Sequence, residues 1–586
     1  MRAARVECAR DRAGETPGLS HLVVQAEVVK LTKAALAILL AVALPFESGA
    51  QASDSARHRR AAERAQSRFE TIRKLNLPER YTGRRDECDA RIGRFCHWNS
   101  EDDTVPAKDS RKVVRARAAL LATLDSLSRR SPRDGWITGQ RIRYLLETGD
   151  DSTAIQVAAD CRAAAWWCDA LRGLAFHEAG DGQASDEAFA RAIAAMPEKD
   201  RCRWTDMTPL LDPAQKKRYG KVGCGRNEEI AARLWWLADP FLSVPGNDRK
   251  AEHFARHTMA KILEPTRIVY GIAWANDIHE MIVRYGWARY WTQGSGTHGD
   301  PWGGVISGHE ATPNYHFIPA SLPLDSLHEI DFDLDEEASP ERYAPVVANR
   351  LTDIAPQIAV FRRGDSAHVV AAFDVSRRKP FDTSTVKSAL VLAPDEKSAI
   401  ISWGAAPKGA LTATVDTRPH VLSLEVLTTG QRHAAWSREG IWIPPINAGE
   451  VSVSDILLFE PVPAEVRELE QALPTALPGN EVSRGKTGFY WEIYGLAEAD
   501  SALPVSLQLT PVTRNALRRL GESIGLVNRA TPLHIGWRDS PGHGGISARS
   551  VVLDLSLIPR GQYELRVEVK PAGRAAAVSS RSILVR

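Results

Sequence analysis

The sequence predicts a multidomain chain that is α-helical in front and β behind, with a small mixed α/β domain between. Three observations carry that expectation. At 586 residues the chain is too long for one hydrophobic core, so about three or four domains are needed. Apolar residues recur at helical spacing through the first half, as at Ala116, Leu120, Leu124 and Leu127. From Gln357 onward the pattern changes to short apolar runs separated by turn residues, the spacing of two successive β-sandwiches.

The first element, 1–52, reads as a signal peptide. Lys30 and Lys33 precede thirteen residues, Ala34 to Phe46, that are apolar and fall short of the roughly 20 needed to span a bilayer. Ala50-Gln51-Ala52 supplies a small-x-small cleavage site, which puts the mature start at Ser53. The long segment before the apolar run suggests a mis-called start, with translation beginning near Val28 or Val29; an uncleaved amphipathic anchor is the alternative. Export to the periplasm or outer cell surface follows, with no transmembrane segment in the mature chain.

Residues 53–225 form a disulfide-bearing helical region. Its cysteines are Cys88, Cys96, Cys161, Cys168, Cys202 and Cys224, an even count that implies disulfides in an exported chain. Six cysteines allow 15 connectivities; pairing of sequence neighbours closes the shortest loops and is the expected one. The spacings are too wide for a zinc site. On one unbroken helix Cys161 and Cys168 would stand about 10.5 Å apart along the axis, beyond disulfide reach. Their pairing therefore requires a turn near Ala163–Ala165.

Residues 226–322 form a Trp-rich central domain, opening with helices at Asn227–Leu237 and Asp248–Leu263 and extended to Pro319 thereafter. An acidic linker, 323–355, carries Asp331, Asp333 and Asp335 like the start of a calcium loop. Glu336 and Arg342 stand where that loop needs Gly and Glu, so it reads as a linker. The first sandwich spans 356–460 and ends with the strand Ile456–Phe459. A Pro-rich linker at 461–485, expected to be protease-sensitive over 461–478, leads to the second sandwich, 486–586.

Gly173, Phe176, Gly180-Asp181, Phe189, Ala192 and Pro197 fall at the offsets of a tetratricopeptide repeat, and the stretch resembles one. Glycine there would let two helices approach closely while Phe189 fills the seam. Leu557 to Tyr563 resembles the tyrosine corner of immunoglobulin- and fibronectin-like sandwiches, which implies that fold for the β half. Trp274 and Asp277, followed by Arg284, Tyr285 and Gly286, resemble the signature of the GWxTD-domain family of exported bacterial proteins. Ala273 and Asn276 replace its Gly and Thr. The resemblance extends over about 226–586 and implies an envelope protein without established chemistry.

Asp277, His279, Glu280, His309, Glu310 and His316 are the densest set of metal-type side chains. With 277–284 read as a strand, alternation sends Asp277 and His279 to one face and Glu280 to the other. Asp277 is then expected to accept from the backbone or Arg284, with Trp274 packed beneath it. No H-E-x-x-H spacing, nucleophile elbow or phosphate-cradling glycine loop accompanies these residues.

Lys and Arg total 75 against 73 Asp and Glu, a net charge of +2, which gives no case for a nucleic-acid surface, and no nucleic-acid partner is expected. The expected role is a non-catalytic binding or scaffold protein without a cofactor, its partners other envelope proteins. The alternatives are a metal-assisted hydrolase using His279, His309 and His316, and a glycan binder using the tryptophans.

Overall fold

Short polar side chains set the helix starts. Ser110, Asp134, Asp150, Asp181 and Asn247 each accept a backbone N–H from the first turn of the helix that follows. The computed structural model describes residues 48–80, 88–98, 108–294, 304–310, 312–328, 331–332, 340–443, 449–497, 500, 502–512, 532–540 and 545–586. The signal-peptide apolar run, Asp333, Asp335 and Glu336 lie outside them. The chain divides into two compact units, Met1–His58 and Arg59–Arg586. In the first, Arg57 pairs with Asp54 at 3.0 Å; the second holds the architecture below from residue 59 onward.

The helical front comprises α1 (Ser48–Lys74), α2 (Arg111–Arg130), α3 (Gly135–Leu146), α4 (Asp151–Ala159), α5 (Ala165–Glu178) and α6 (Gly182–Ala195). Between α1 and α2 lie β1 (Glu79–Arg80) and a hairpin of β2 (Ala90–Ile92) and β3 (Phe95–His97). The α5–α6 pair packs closely because position 173 is glycine: a Cβ there would meet the Phe189 ring at 2.7 Å. The chain continues through α7 (Glu198–Thr205), α8 (Pro213–Tyr219), α9 (Glu228–Leu237), α10 (Asp248–Leu263) and α11 (Asn276–Tyr285). Disulfides join Cys88 to Cys96, Cys161 to Cys168 and Cys202 to Cys224. The turn that the second of these requires falls between α4 and α5. Among the described residues no helix is long and apolar enough to cross a membrane.

Two strands, β4 (Tyr290–Gly294) and β5 (Ile306–His309), pair antiparallel, and β1 joins β4 in parallel. The central segment thus has mixed content but not its own core. Ile142, Leu171 and Phe189 from the front share one cluster with Phe254, Met259, Ile278 and Ile282, across the expected boundary at 225/226. The physical reason is α10: it buries residues on nearly every side, so it needs neighbours all round.

The first sandwich pairs a five-stranded sheet with a three-stranded one. The larger has the order β10 (Ile400–Gly404), β9 (Val386–Ala393), β12 (His420–Thr428), β13 (His433–Ile441) and β6 (Arg350–Asp353); the smaller runs β11 (Lys408–Asp416), β8 (Ser366–Asp374), β7 (Gln357–Arg363). The 323–355 segment is thereby corrected from a linker: β6 lies inside it, and Leu324, Leu327 and Tyr343 are buried. These side chains complete a core with Trp236 and Trp436.

A second correction concerns 449–485. The strands β14 (Ser452–Val453) and β15 (Leu457–Phe459) pair with β17 (Lys486–Tyr494), so they belong to the second sandwich. Nor is the Pro-rich stretch an exposed tether. Val466, Leu469 and Ala472 are buried with Phe361 of the first sandwich and Tyr490 of the second. The facing sheet has the order β16 (Glu481–Val482), β22 (Ala577–Val585), β21 (Gly561–Val569), β18 (Leu503–Pro511), β19 (Leu533–Asp539), while β20 (Ile546–Asp554) extends β17. At its corner the Tyr563 hydroxyl donates to the Pro559 carbonyl at 2.8 Å, closing the turn that the sequence suggested.

Candidate functional site

Residues 276–285 form a helix rather than a strand, which reorders the signature residues. Ile278, Ile282, Val283 and Tyr285 are its buried side chains, a helical stripe. Asp277 sits in the first turn, where a carboxylate meets the positive end of the helix. Its partner is Arg94, not Arg284. The guanidinium grips both carboxylate oxygens, Nε to Oδ2 at 2.6 Å and Nη2 to Oδ1 at 2.7 Å, and the Arg94 amide adds a bond of 3.2 Å. These bonds hold the Asp277 carboxyl down at about 2. Arg284 instead bonds the Pro340 carbonyl at 2.7 Å and Glu280 at 2.9 Å.

Arg94 stands at the tip of the β2–β3 hairpin, whose two sides are tied by Cys88–Cys96. The hairpin is therefore clamped twice, by a covalent bond at its base and by a bidentate ion pair at its tip. His97 on β3 stacks on Tyr285 with ring centroids 3.9 Å apart. Beneath this hairpin lies a cleft of about 990 Å³, within the size range of small-molecule sites. Its lining includes an apolar set, Leu146, Met259, Leu263, Ile268 and Met281, hereafter the floor, and an aromatic one, Phe95, Trp98, Tyr270, Trp287 and Trp291. The rest of the border comes from the end of α1, α3, α11, β4, β5, Arg342 and the segment joining α10 to α11.

Charge around the cleft is mostly pre-committed. Arg143 bonds Glu70 at 3.0 Å and Glu147 at 3.2 Å, and Arg73 pairs with Glu147 behind them. Burial raises the Glu147 carboxyl, but Arg73, Arg143 and Arg117 together outweigh it, so the group stays ionised. Arg289 pairs with Glu178 and, at 2.9 Å, with Glu310. Tyr270 is pushed up to about 12 by burial and stays a neutral phenol.

The three histidines singled out from sequence do not converge. His309 borders the cleft, stacks on Tyr290 and bonds the Thr292 hydroxyl at 2.7 Å. His316 faces Glu341 at 3.4 Å. His279, on α11, lies against His257, ring centroids 5.3 Å apart, and burial with Arg203 nearby lowers it to about 4. Among the described residues no group of three or more His, Cys, Asp or Glu is arranged to hold a metal. The sequence reading missed His253 and His257, which sit one turn apart on α10 and meet edge to face with ring centroids 4.7 Å apart. It also missed Arg94, for which the one local signal was a glycine inside a short cysteine-bounded loop.

No model of a known protein family matches the chain, and no curated protein matches it. Among solved structures, the FN1–FN3 domains of chicken CNTN1 are 11% identical over 40% of this chain and 68% of theirs, with a TM-score of 0.15. A DUF3823 family protein from Bacteroides ovatus is 13% identical over 39% of this chain and 97% of its own, at 0.14. Native alpha-2-macroglobulin from Escherichia coli, from domain MG7 to the C-terminus, is 10% identical over 82% of this chain and 60% of that one, at 0.15. Scores this low carry no argument about fold or role.

Proposed function

We propose that this chain is an exported envelope protein that binds a ligand rather than transforming one, and that its working surface is the cleft beneath the β2–β3 hairpin. The observation that carries this reading is the double clamp. A disulfide and a bidentate ion pair fix one wall of an apolar, aromatic cleft, which is how a binding site is pre-organised at low entropic cost on association. Three disulfides fit an extracytoplasmic protein. The likeness of Trp274, Asp277, Arg284, Tyr285 and Gly286 to the GWxTD signature supports the same compartment. In this reading Asp277 serves the site indirectly, by holding Arg94 and thus the wall.

The test uses a neutral hydrophobic reporter, phenylnaphthylamine, titrated into the purified full chain. Saturable binding near one dye per chain is expected, lost in Ile272→Arg, which puts a charge on a residue that is 37% exposed at the cleft. No saturable binding in the native protein refutes the reading.

A further inference from the structure

The lining of the cleft says more than that it binds. Among the described residues its polar side chains include no Asn, Gln or Asp, the groups that typically read sugar hydroxyls. Its two glutamates, Glu147 and Glu310, already receive arginines. The remaining neutral polar groups are hydroxyls and rings, Tyr270, Tyr285, Ser307, His97 and His309, of which Tyr285 and His309 already hold partners. Most cations are likewise occupied: Arg94 by Asp277, Arg143 by Glu70 and Glu147, Arg289 by Glu178 and Glu310. Arg342 donates to the carbonyls of Glu310 and Thr312.

Two are left. Lys74, at the end of α1, and Arg91, on β2, border the cleft, and no described carboxylate pairs with either. Lys74 is half-buried beside Gly271, where a Cβ would come within 2.6 Å of its Nζ. An ammonium without a partner among the described carboxylates, partly withdrawn from water beside an apolar floor, is an electrostatic demand for an anion. The floor in turn demands hydrocarbon, since Met259, Leu263, Ile268 and Met281 offer no hydrogen bonds.

Resting on the binding role proposed for this cleft, we infer that its ligand is an anionic amphiphile: an acyl-type chain along the floor with a carboxylate or phosphate head held by Lys74 and Arg91. The two possible heads share one chemistry, a compact oxyanion on an aliphatic tail. An envelope supplies both, as free fatty acid and as phosphate-headed lipid.

The experiment is displacement of bound phenylnaphthylamine from the full chain by dodecanoate, dodecyl phosphate and dodecanol, each below its micellar range, with an acidic oligosaccharide alongside. One or both anionic amphiphiles should displace the dye at about tenfold lower concentration than dodecanol. Which of the two is stronger identifies the head. The Lys74→Gln/Arg91→Gln double variant should erase that difference and leave dodecanol unchanged, with an unaltered melting temperature showing that the fold is intact. Equal displacement by all three amphiphiles, or displacement by the oligosaccharide alone, overturns the inference while leaving a binding cleft in place. Failure of the dye to bind at all overturns the binding role itself.

Discussion

Gly93 lies against Asp277: a Cβ built on the glycine would stand 2.7 Å from the aspartate Cβ and 2.8 Å from its Oδ2. The glycine also has φ of +52°, a left-handed turn that L side chains resist. Gly93→Ala is therefore expected to lift the hairpin tip off α11 and to cost about 1–2 kcal/mol in strain. Hydrogen exchange should show protection lost over 90–97 and retained in α3 and α10. Unchanged protection of the Arg94 amide, which donates to Asp277, would contradict this.

The same ion pair sets an acid limit. Asp277 is depressed by Arg94 to about 2, so its contribution is present above its unfolded value near 3.9 and is lost as pH falls towards 2. Asp277→Asn should loosen the hairpin at pH 7 as acid does in the native chain, and should itself show no further loosening between pH 4 and 2. Exchange rates at the hairpin amides measure both.

The α10 histidines act at milder pH. Burial lowers His253 to about 3, with Arg249 and Arg256 adding to the effect; burial also lowers His257 far below its usual value. Below pH 6.5 the unfolded chain takes protons that these buried rings refuse, so stability falls with falling pH. For His253 alone the loss from pH 6.5 to 5 is on the order of 2 kcal/mol. His253→Gln should flatten that part of the curve in urea unfolding.

Arg249 and Glu341 are both fully buried and paired, Nε to Oε1 at 3.4 Å with a second bond from Nη2 to Oε2. Glu341→Ala strands the guanidinium and should cost about 3–5 kcal/mol. Arg249→Met/Glu341→Leu should recover much of it, because the pair is then replaced by packing. Thermal or denaturant unfolding of the single and double variants decides the matter.

The second sandwich should fold alone only when its own strands are included. A fragment beginning at 449 keeps β14, β15, Val466 and Leu469, whereas one beginning at 479 exposes Phe489 and Tyr490. The longer fragment is expected to give β-type circular dichroism and a cooperative melt, the shorter one neither. Protease should spare 461–478 in the intact chain.

The helix Asp248–Leu263 was legible because its cap, Asn247, and its apolar spacing are local. Strand sets in the β half were legible for the same reason, and so was the Tyr563 corner. Residues 276–285 misled because Ile278, Ile282 and Val283 are β-branched and the stretch is short, where periodicity discriminates poorly. The domain borders failed for a different reason. Leu171 and Phe254 share one core, and Trp236 and Trp436 another, across long stretches of sequence that no local window records. The cleft lay beyond sequence for the same cause, since Lys74, Arg91, Leu146, Met281 and His309 meet only in three dimensions.

Arg438 illustrates what such distance means during synthesis. Its guanidinium, fully buried, reaches the Leu237 and Asp239 carbonyls at the end of α9, at 3.0 and 2.6 Å. Glu425 meanwhile accepts the Leu242 and Ser243 amides just beyond, at 2.9 and 3.1 Å. At about 5–20 residues per second, a ribosome needs on the order of 10–40 s after making α9 before Arg438 exists. Through that interval the α9 terminus has open carbonyls, and Trp236 lacks the later part of its core, Trp436 included. Nascent chains should thus present a waiting hydrophobic surface around residue 236, a place for chaperones to hold until the first sandwich is made.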